Sequence, residues 1–197
     1  MEHVLIPGNA GNLEAILNLA EGSDRCAVLC HPHPLYGGNM DDGVVEVLSA
    51  AFIAMRIGSC RFNFRGVGAS EGQHDKGVGE VDDVLSVTDW LARERGIHTL
   101  FLCGYSFGAV VVLNALPVLV VDKSILVAPP VRLMEVADVS EQSMMVILGE
   151  QDDIVDTLTT RSFFKGATVN TIGQADHFFA NASADIKSMV TGFINGT

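Results

Sequence analysis

Positive charge is scarce in this chain. Twelve lysines and arginines stand against twenty-four aspartates and glutamates, a net charge of −12. Phosphate backbones and anionic lipid surfaces are held by clustered Lys and Arg, so this balance argues against nucleic acid and membrane partners. Cysteine is sparse as well. The four, Cys26, Cys30, Cys60 and Cys103, all fall in short apolar runs. Two of them four positions apart on one strand are about 13 Å from each other, too far for a local disulfide or zinc knuckle. Buried thiols serving as small hydrophobes are expected. There is no twenty-residue apolar run, lipid motif or leader-like segment, so a soluble, cytoplasmic protein is expected. Repeats, low-complexity tracts and linkers are missing too. The 197 residues, 48% of them apolar, therefore read as a single domain spanning 1–197 with one continuous core.

Apolar β-type runs alternate with helical patterns along the chain. Strands are predicted at 2–6, 12–19, 25–30, 58–63, 98–103, 123–128, 143–148 and 167–172, and helices at 41–55, 78–94, 107–116, 156–164 and 182–194. That order predicts an α/β fold, a mainly parallel sheet of about eight strands covered on both faces, with the first two strands able to pair antiparallel. It also leaves no room for an inserted cap domain. The stretch 131–142, outside any predicted element, is long enough for a lid-like loop only, so an open or shallow site is expected.

The strongest local signal is Gly104-Tyr105-Ser106-Phe107-Gly108, directly after the apolar run 99–103. A serine between two glycines, leaving a strand and entering a helix, has the form of a nucleophile elbow. Its tight turn needs small residues two positions either side of the serine. It also aims the N–H of Phe107 at the place where a tetrahedral oxyanion forms. Serine is a weak nucleophile near neutral pH and needs an imidazole to take its proton, held in turn by a carboxylate. Both follow in the order Ser, acid, His. The run 143–148 is followed by Gly149-Glu-Gln-Asp152-Asp153, and the run 167–172 by Gly173-Gln-Ala-Asp176-His177. His177 is the one histidine after the acid. Asp152 is favoured as its partner with Asp153 in reserve, and Asp176 is expected to be solvated or capping.

A second motif, His31-Pro-His33-Pro-Leu35-Tyr36-Gly-Gly-Asn-Met40, follows the predicted strand 25–30. Its prolines fix φ and lack donors, which leaves the N–H groups of His33 and Leu35 as candidates for the second oxyanion donor. A zinc site on His31 and His33 is disfavoured, since no third ligand is spaced nearby. The glycine-rich stretch 65–72 has no Lys-Ser/Thr ending and is not read as a nucleotide loop. Arg61 and Arg65 are expected to pair with Glu80, Asp82 and Asp83 at the start of the helix from 78, and Asp41 and Asp42 to begin the helix after the His-Pro loop. Tyr105, Phe107, Leu35, Tyr36, Phe178 and Phe179 suggest an aromatic, apolar rim, with Tyr36, Tyr105 and Phe178 as candidate substrate contacts.

Taken together, the His31–Met40 loop, the stretch 61–72, the Gly-Tyr-Ser-Phe-Gly turn and Ala175-Asp-His-Phe-Phe179 resemble the small bacterial alpha/beta-hydrolases near the dienelactone-hydrolase branch, over nearly the whole chain. The resemblance implies the alpha/beta-hydrolase fold. It implies Ser106, Asp152 and His177 as a catalytic triad, with His33 at the usual oxyanion-donor position and Leu35 in reserve. The chain departs from the pattern at Pro32, where many lipases and esterases carry glycine. It also has a serine nucleophile where dienelactone hydrolases proper use cysteine, so their substrate is not implied. The expected activity is hydrolysis of a small carboxylic ester through an acyl-enzyme, with no cofactor and no metal. The alternatives are a thioesterase, acyltransferase or small-amide hydrolase on the same triad, or a non-catalytic binding member of the fold. Two edge strands leave homodimerisation open.

Overall fold

The protein is described by a computed structural model covering residues 1–138 and 143–196. Eight strands form one sheet: β1 (Glu2–Gly8), β2 (Gly11–Asn18), β3 (Arg25–Cys30), β4 (Gly58–Phe62), β5 (Thr99–Tyr105), β6 (Lys123–Val127), β7 (Met144–Gly149) and β8 (Thr168–Ile172). Their spatial order is β1-β2-β4-β3-β5-β6-β7-β8. β1 and β2 form an antiparallel hairpin, and β2 also runs antiparallel to β4. From β4 to β8 every pairing is parallel. The five helices are α1 (Gly43–Ala54), α2 (Gly79–Arg95), α3 (Phe107–Ala115), α4 (Thr157–Phe163) and α5 (Ser183–Asn195). This is the arrangement the resemblance implies, and among the described residues no cap domain interrupts it.

Parallel strands covered on both faces must be apolar on both sides. Along β3, Cys26, Val28 and Cys30 face one core, and Ala27 and Leu29 face the other. Val84, Val87 and Leu91 of α2, with Val111 and Val112 of α3, fill the first core. The second is filled by Val45, Leu48 and Phe52 of α1 and by Ile186, Val190 and Ile194 of α5. All four cysteines are buried free thiols. Among the described residues, no helix is long and apolar enough to cross a membrane.

The strand order reverses beside β3: the chain steps outward from β3 to β4, then returns to lay β5 on β3's other side. Sites in open parallel sheets form at the carboxyl ends flanking such a reversal. Here those ends carry the His-Pro loop after β3 and the serine turn after β5.

The stretch after β4 is held by side chains rather than by regular structure. Arg65 donates to both carboxylate oxygens of Asp83 on α2, at 2.8–3.1 Å, and its N–H donates to the same carboxylate. Arg61 does not join the α2 acids as expected. It lies on β4 and pairs with Asp41 and Glu46, both at 3.2 Å, because that strand position faces α1. Glu80 instead accepts the N–H groups of Asp75 and Gly77. Asp42 caps α1 by accepting the Val44 N–H, as the sequence suggests.

Candidate active site

Ser106 sits at the junction of β5 and α3 with φ 51° and ψ −117°, a strained conformation for a residue bearing Cβ. Its N–H donates to Val127 O at 2.8 Å, which ties the turn to the end of β6. A Cβ on Gly104 would meet the backbone of Gly108, and one on Gly108 would meet the carbonyls of Cys30 and His31, all well inside 3.0 Å. Gly108 thus lets the start of α3 lie directly against the end of β3. Gly108→Ala is expected to cost about 3 kcal/mol, because the obstructing atoms are backbone and cannot rotate away. Urea unfolding of the variant checks this, and a change within about 0.5 kcal/mol would contradict it.

Two loops at neighbouring strand ends bring Asp152 and His177 to the serine. His177 Nε2 lies 3.0 Å from Ser106 Oγ, and His177 Nδ1 lies 2.8 Å from Asp152 Oδ2. The other oxygen, Oδ1, accepts the N–H groups of Ile154 and Val155 at 2.9 and 2.7 Å, so the carboxylate is fixed from both sides. The side chains of Asp152 and His177 are almost wholly buried. Asp153 is exposed and makes no contact with the imidazole. Asp176 accepts the Phe178 N–H, a local turn. Gly149 was not singled out from the sequence. A Cβ there would strike the carbonyls of Ala175 and Asp176, so it is what lets the acid loop touch the histidine loop.

The aromatic candidates divide. Tyr36 and Phe178 are exposed and line the cleft; Leu35 is exposed but is not among the lining residues. Tyr105 is buried, and its hydroxyl donates to His177 O at 2.8 Å. It props the histidine loop and also lines the floor of the cleft. Phe179 is buried against Tyr105. The Phe107 ring is buried among Phe64, His33 and His74.

In the His-Pro loop, Leu35 N–H donates to His33 Nδ1 at 3.2 Å, inside a short 3₁₀ turn Pro34–Tyr36. This commitment takes Leu35 out of the reserve-donor role. The N–H groups of His33 and Phe107 have no protein acceptor among the described residues. Gly38, another position the sequence did not flag, folds the loop back on itself, since a Cβ there would meet the backbone of Pro32 and His33.

His31 anchors this loop from beneath. It is fully buried, with Nδ1 2.7 Å from Pro32 O and Nε2 accepting the Phe64 N–H at 3.1 Å. Both ring nitrogens are therefore spent on backbone. Burial pushes its imidazole down from 6.5 to about 4, with the Pro32 bond opposing. The unfolded chain protonates this ring near its ordinary value and the folded chain resists, so stability is full above pH 6.5 and falls as pH drops toward 4. The loss is about 3 kcal/mol across that window. Urea unfolding at pH 7 and 4.5 should show His31→Gln losing less stability than the wild type, and parallel pH curves would contradict it.

The cleft above Ser106 has a volume of about 1030 Å³, at the large end of small-ligand sites. Pro130, Leu133, Met134 and Glu135, from the segment after β6, build a wall on one side. His74, Lys76 and Gly77 line it from the segment before α2. Residues 139–142 of the expected lid-like stretch lie outside the described residues.

No family model matches the chain. Its sequence is 27% identical over 213 residues to the uncharacterized protein RP471 of Rickettsia prowazekii, covering 98% of this chain and 89% of that one. Its structure matches XC6422 from Xanthomonas campestris, an alpha/beta serine hydrolase without a lid, with a TM-score of 0.93 and 31% identity over 99% of this chain and 94% of the other. An alpha/beta serine hydrolase homologue from Coxiella burnetii matches with a TM-score of 0.86 and 31% identity, covering 96% of this chain and 95% of that one.

Proposed function

Because the chain belongs to the alpha/beta serine hydrolases, we propose that it cleaves small carboxylic esters through an acyl-enzyme, with Ser106 as nucleophile. The observation that carries this reading is the continuous hydrogen-bonded path from Asp152 through His177 to Ser106, at 2.8 and 3.0 Å. Ser106 Oγ attacks the ester carbonyl while His177 Nε2 takes its proton. Asp152 keeps the proton of the imidazole on Nδ1 and stabilises the imidazolium that forms. Negative charge on the carbonyl oxygen is received by the N–H groups of Phe107 and His33. Collapse of the tetrahedral intermediate expels the alcohol, which leaves with the proton from His177. A water activated by the same imidazole then releases the acid and restores Ser106. The reaction consumes one water and needs no redox partner.

The same residues serve thioesters and amides, so the leaving atom is the point to test. Initial rates on ethyl butyrate, S-ethyl thiobutyrate and N-ethylbutyramide separate the classes. The oxygen ester is expected to have the highest kcat/KM. A thioester favoured over it would overturn the ester assignment.

A further inference from the structure

Apart from the Ser106–His177–Asp152 path, the cleft holds a second group of ionisable side chains. The rings of His33 and His74 lie 5.1 Å apart, and both rest on the Phe107 ring, at 4.9 and 5.5 Å. Both residues line the cleft. Their surroundings decide which ring nitrogen carries hydrogen. His33 Nδ1 accepts the Leu35 N–H, so the proton of the neutral ring is on Nε2. Burial first, and the neighbouring His74 second, push the His33 imidazole below its ordinary value, which favours that neutral form.

His74 is set the opposite way. Its Nδ1 is buried 2.7 Å from Glu80 Oε1, off the line of a straight hydrogen bond. Glu80 is itself fully buried and accepts the N–H groups of Asp75 and Gly77 at 2.9 and 2.8 Å. A carboxylate held by two N–H groups offers only acceptors to a third partner. In the neutral ring the proton of His74 is therefore on Nδ1, and its Nε2 is an acceptor. Neither Nε2 has a protein partner among the described residues. One wall of the cleft thus pairs a donor with an acceptor. Room is kept beside them by Gly77, where a Cβ would meet Met134 at 3.1 Å and Phe107 at 3.7 Å.

We propose that His33 and His74 form a subsite for a hydroxyl group on the acyl part of the substrate, which makes esters of short hydroxy acids the favoured class. The hydroxyl accepts from His33 Nε2–H and donates to His74 Nε2. A hydroxyl does both at one atom, whereas an ionised carboxylate only accepts and an alkyl group does neither. The inference rests on the ester-cleaving reading above. With the ester oxygen received by the N–H groups of His33 and Phe107, the side chains of those two residues border the acyl group.

The test compares phenyl esters of (R)- and (S)-3-hydroxybutyrate with phenyl butyrate and the monophenyl ester of succinate, on wild type and on His74→Phe. That substitution keeps a ring against Phe107 and removes the acceptor. In the wild type one hydroxybutyrate enantiomer is expected to exceed butyrate about tenfold in kcat/KM, from two added hydrogen bonds, mainly through KM. In His74→Phe the ratio is expected to fall to near one. Equal rates for hydroxylated and plain esters, a preference for the succinate ester, or a preference that survives in His74→Phe overturns the subsite. If His74→Phe does not fold, the wild-type ratios decide alone. Absence of turnover on every ester overturns the ester-cleaving reading and the subsite together, whereas turnover without the preference overturns the subsite only.

Discussion

Ser106→Ala is expected to lower ester turnover by at least about 10⁴-fold while leaving the protein folded. The fold should survive because the position keeps a Cβ, so the strain of its positive φ is neither added to nor relieved. The bonds that define the turn are backbone bonds, from Ser106 N–H to Val127 O and from Ala109 N–H to Ser106 O. What is lost is the one oxygen within reach of His177 Nε2 that can form an acyl-enzyme. Steady-state assay with a short-chain p-nitrophenyl ester, beside an unfolding curve, reads both parts. Turnover within tenfold of wild type would mean that the chemistry runs through another group.

Asp152→Asn is the second large effect, about 10⁴-fold on kcat with little change in the shape of the site. The asparagine carbonyl can keep the N–H groups of Ile154 and Val155 that now bind Oδ1. Its NH₂ then occupies the place of Oδ2 and donates toward His177 Nδ1. That forces the imidazole proton onto Nε2, facing Ser106 Oγ, where an acceptor is required. The base is present and correctly placed but in the wrong tautomer. Comparison with Asp153→Asn separates the two neighbours, since the exposed Asp153 makes no contact with the ring and its loss should leave kcat near the wild-type value. Equal losses in the two variants would contradict the assignment.

Much of this architecture was legible because it rests on local rules. Each of the eight strands and five helices lies within two residues of its predicted span, since apolar runs and capping residues act over short distances. The Ser106 turn announces itself through the spacing of Gly104 and Gly108. Asp152 and His177, which the structure brings to Ser106, stand out by chain order and by their places just past β7 and β8. Contacts set by the fold at long range were not legible. Arg61 reaches Asp41 and Glu46 because β4 lies beside α1, which the sequence does not state. Glu80 reads as an acid at a helix start, yet it is buried under the turn carrying His74. Gly38 and Gly149 are unremarkable in the chain, and their need for a missing Cβ shows only when two loops approach. Tyr105 lines the cleft, yet its ring lies mostly in the core. It alternates with Phe101 and Cys103 onto the face covered by α1 and α5, so strand parity already placed it in the core.

The central claim is that Ser106 is an activated nucleophile in the free protein. Labelling with a fluorophosphonate probe tests it most directly, wild type beside Ser106→Ala and His177→Ala, with peptide mapping of the modified site. The account predicts rapid, stoichiometric labelling of the wild type at Ser106, none in Ser106→Ala, and very slow labelling in His177→Ala. Folded wild-type protein that stays unlabelled, or that is labelled as fast without His177, would contradict it.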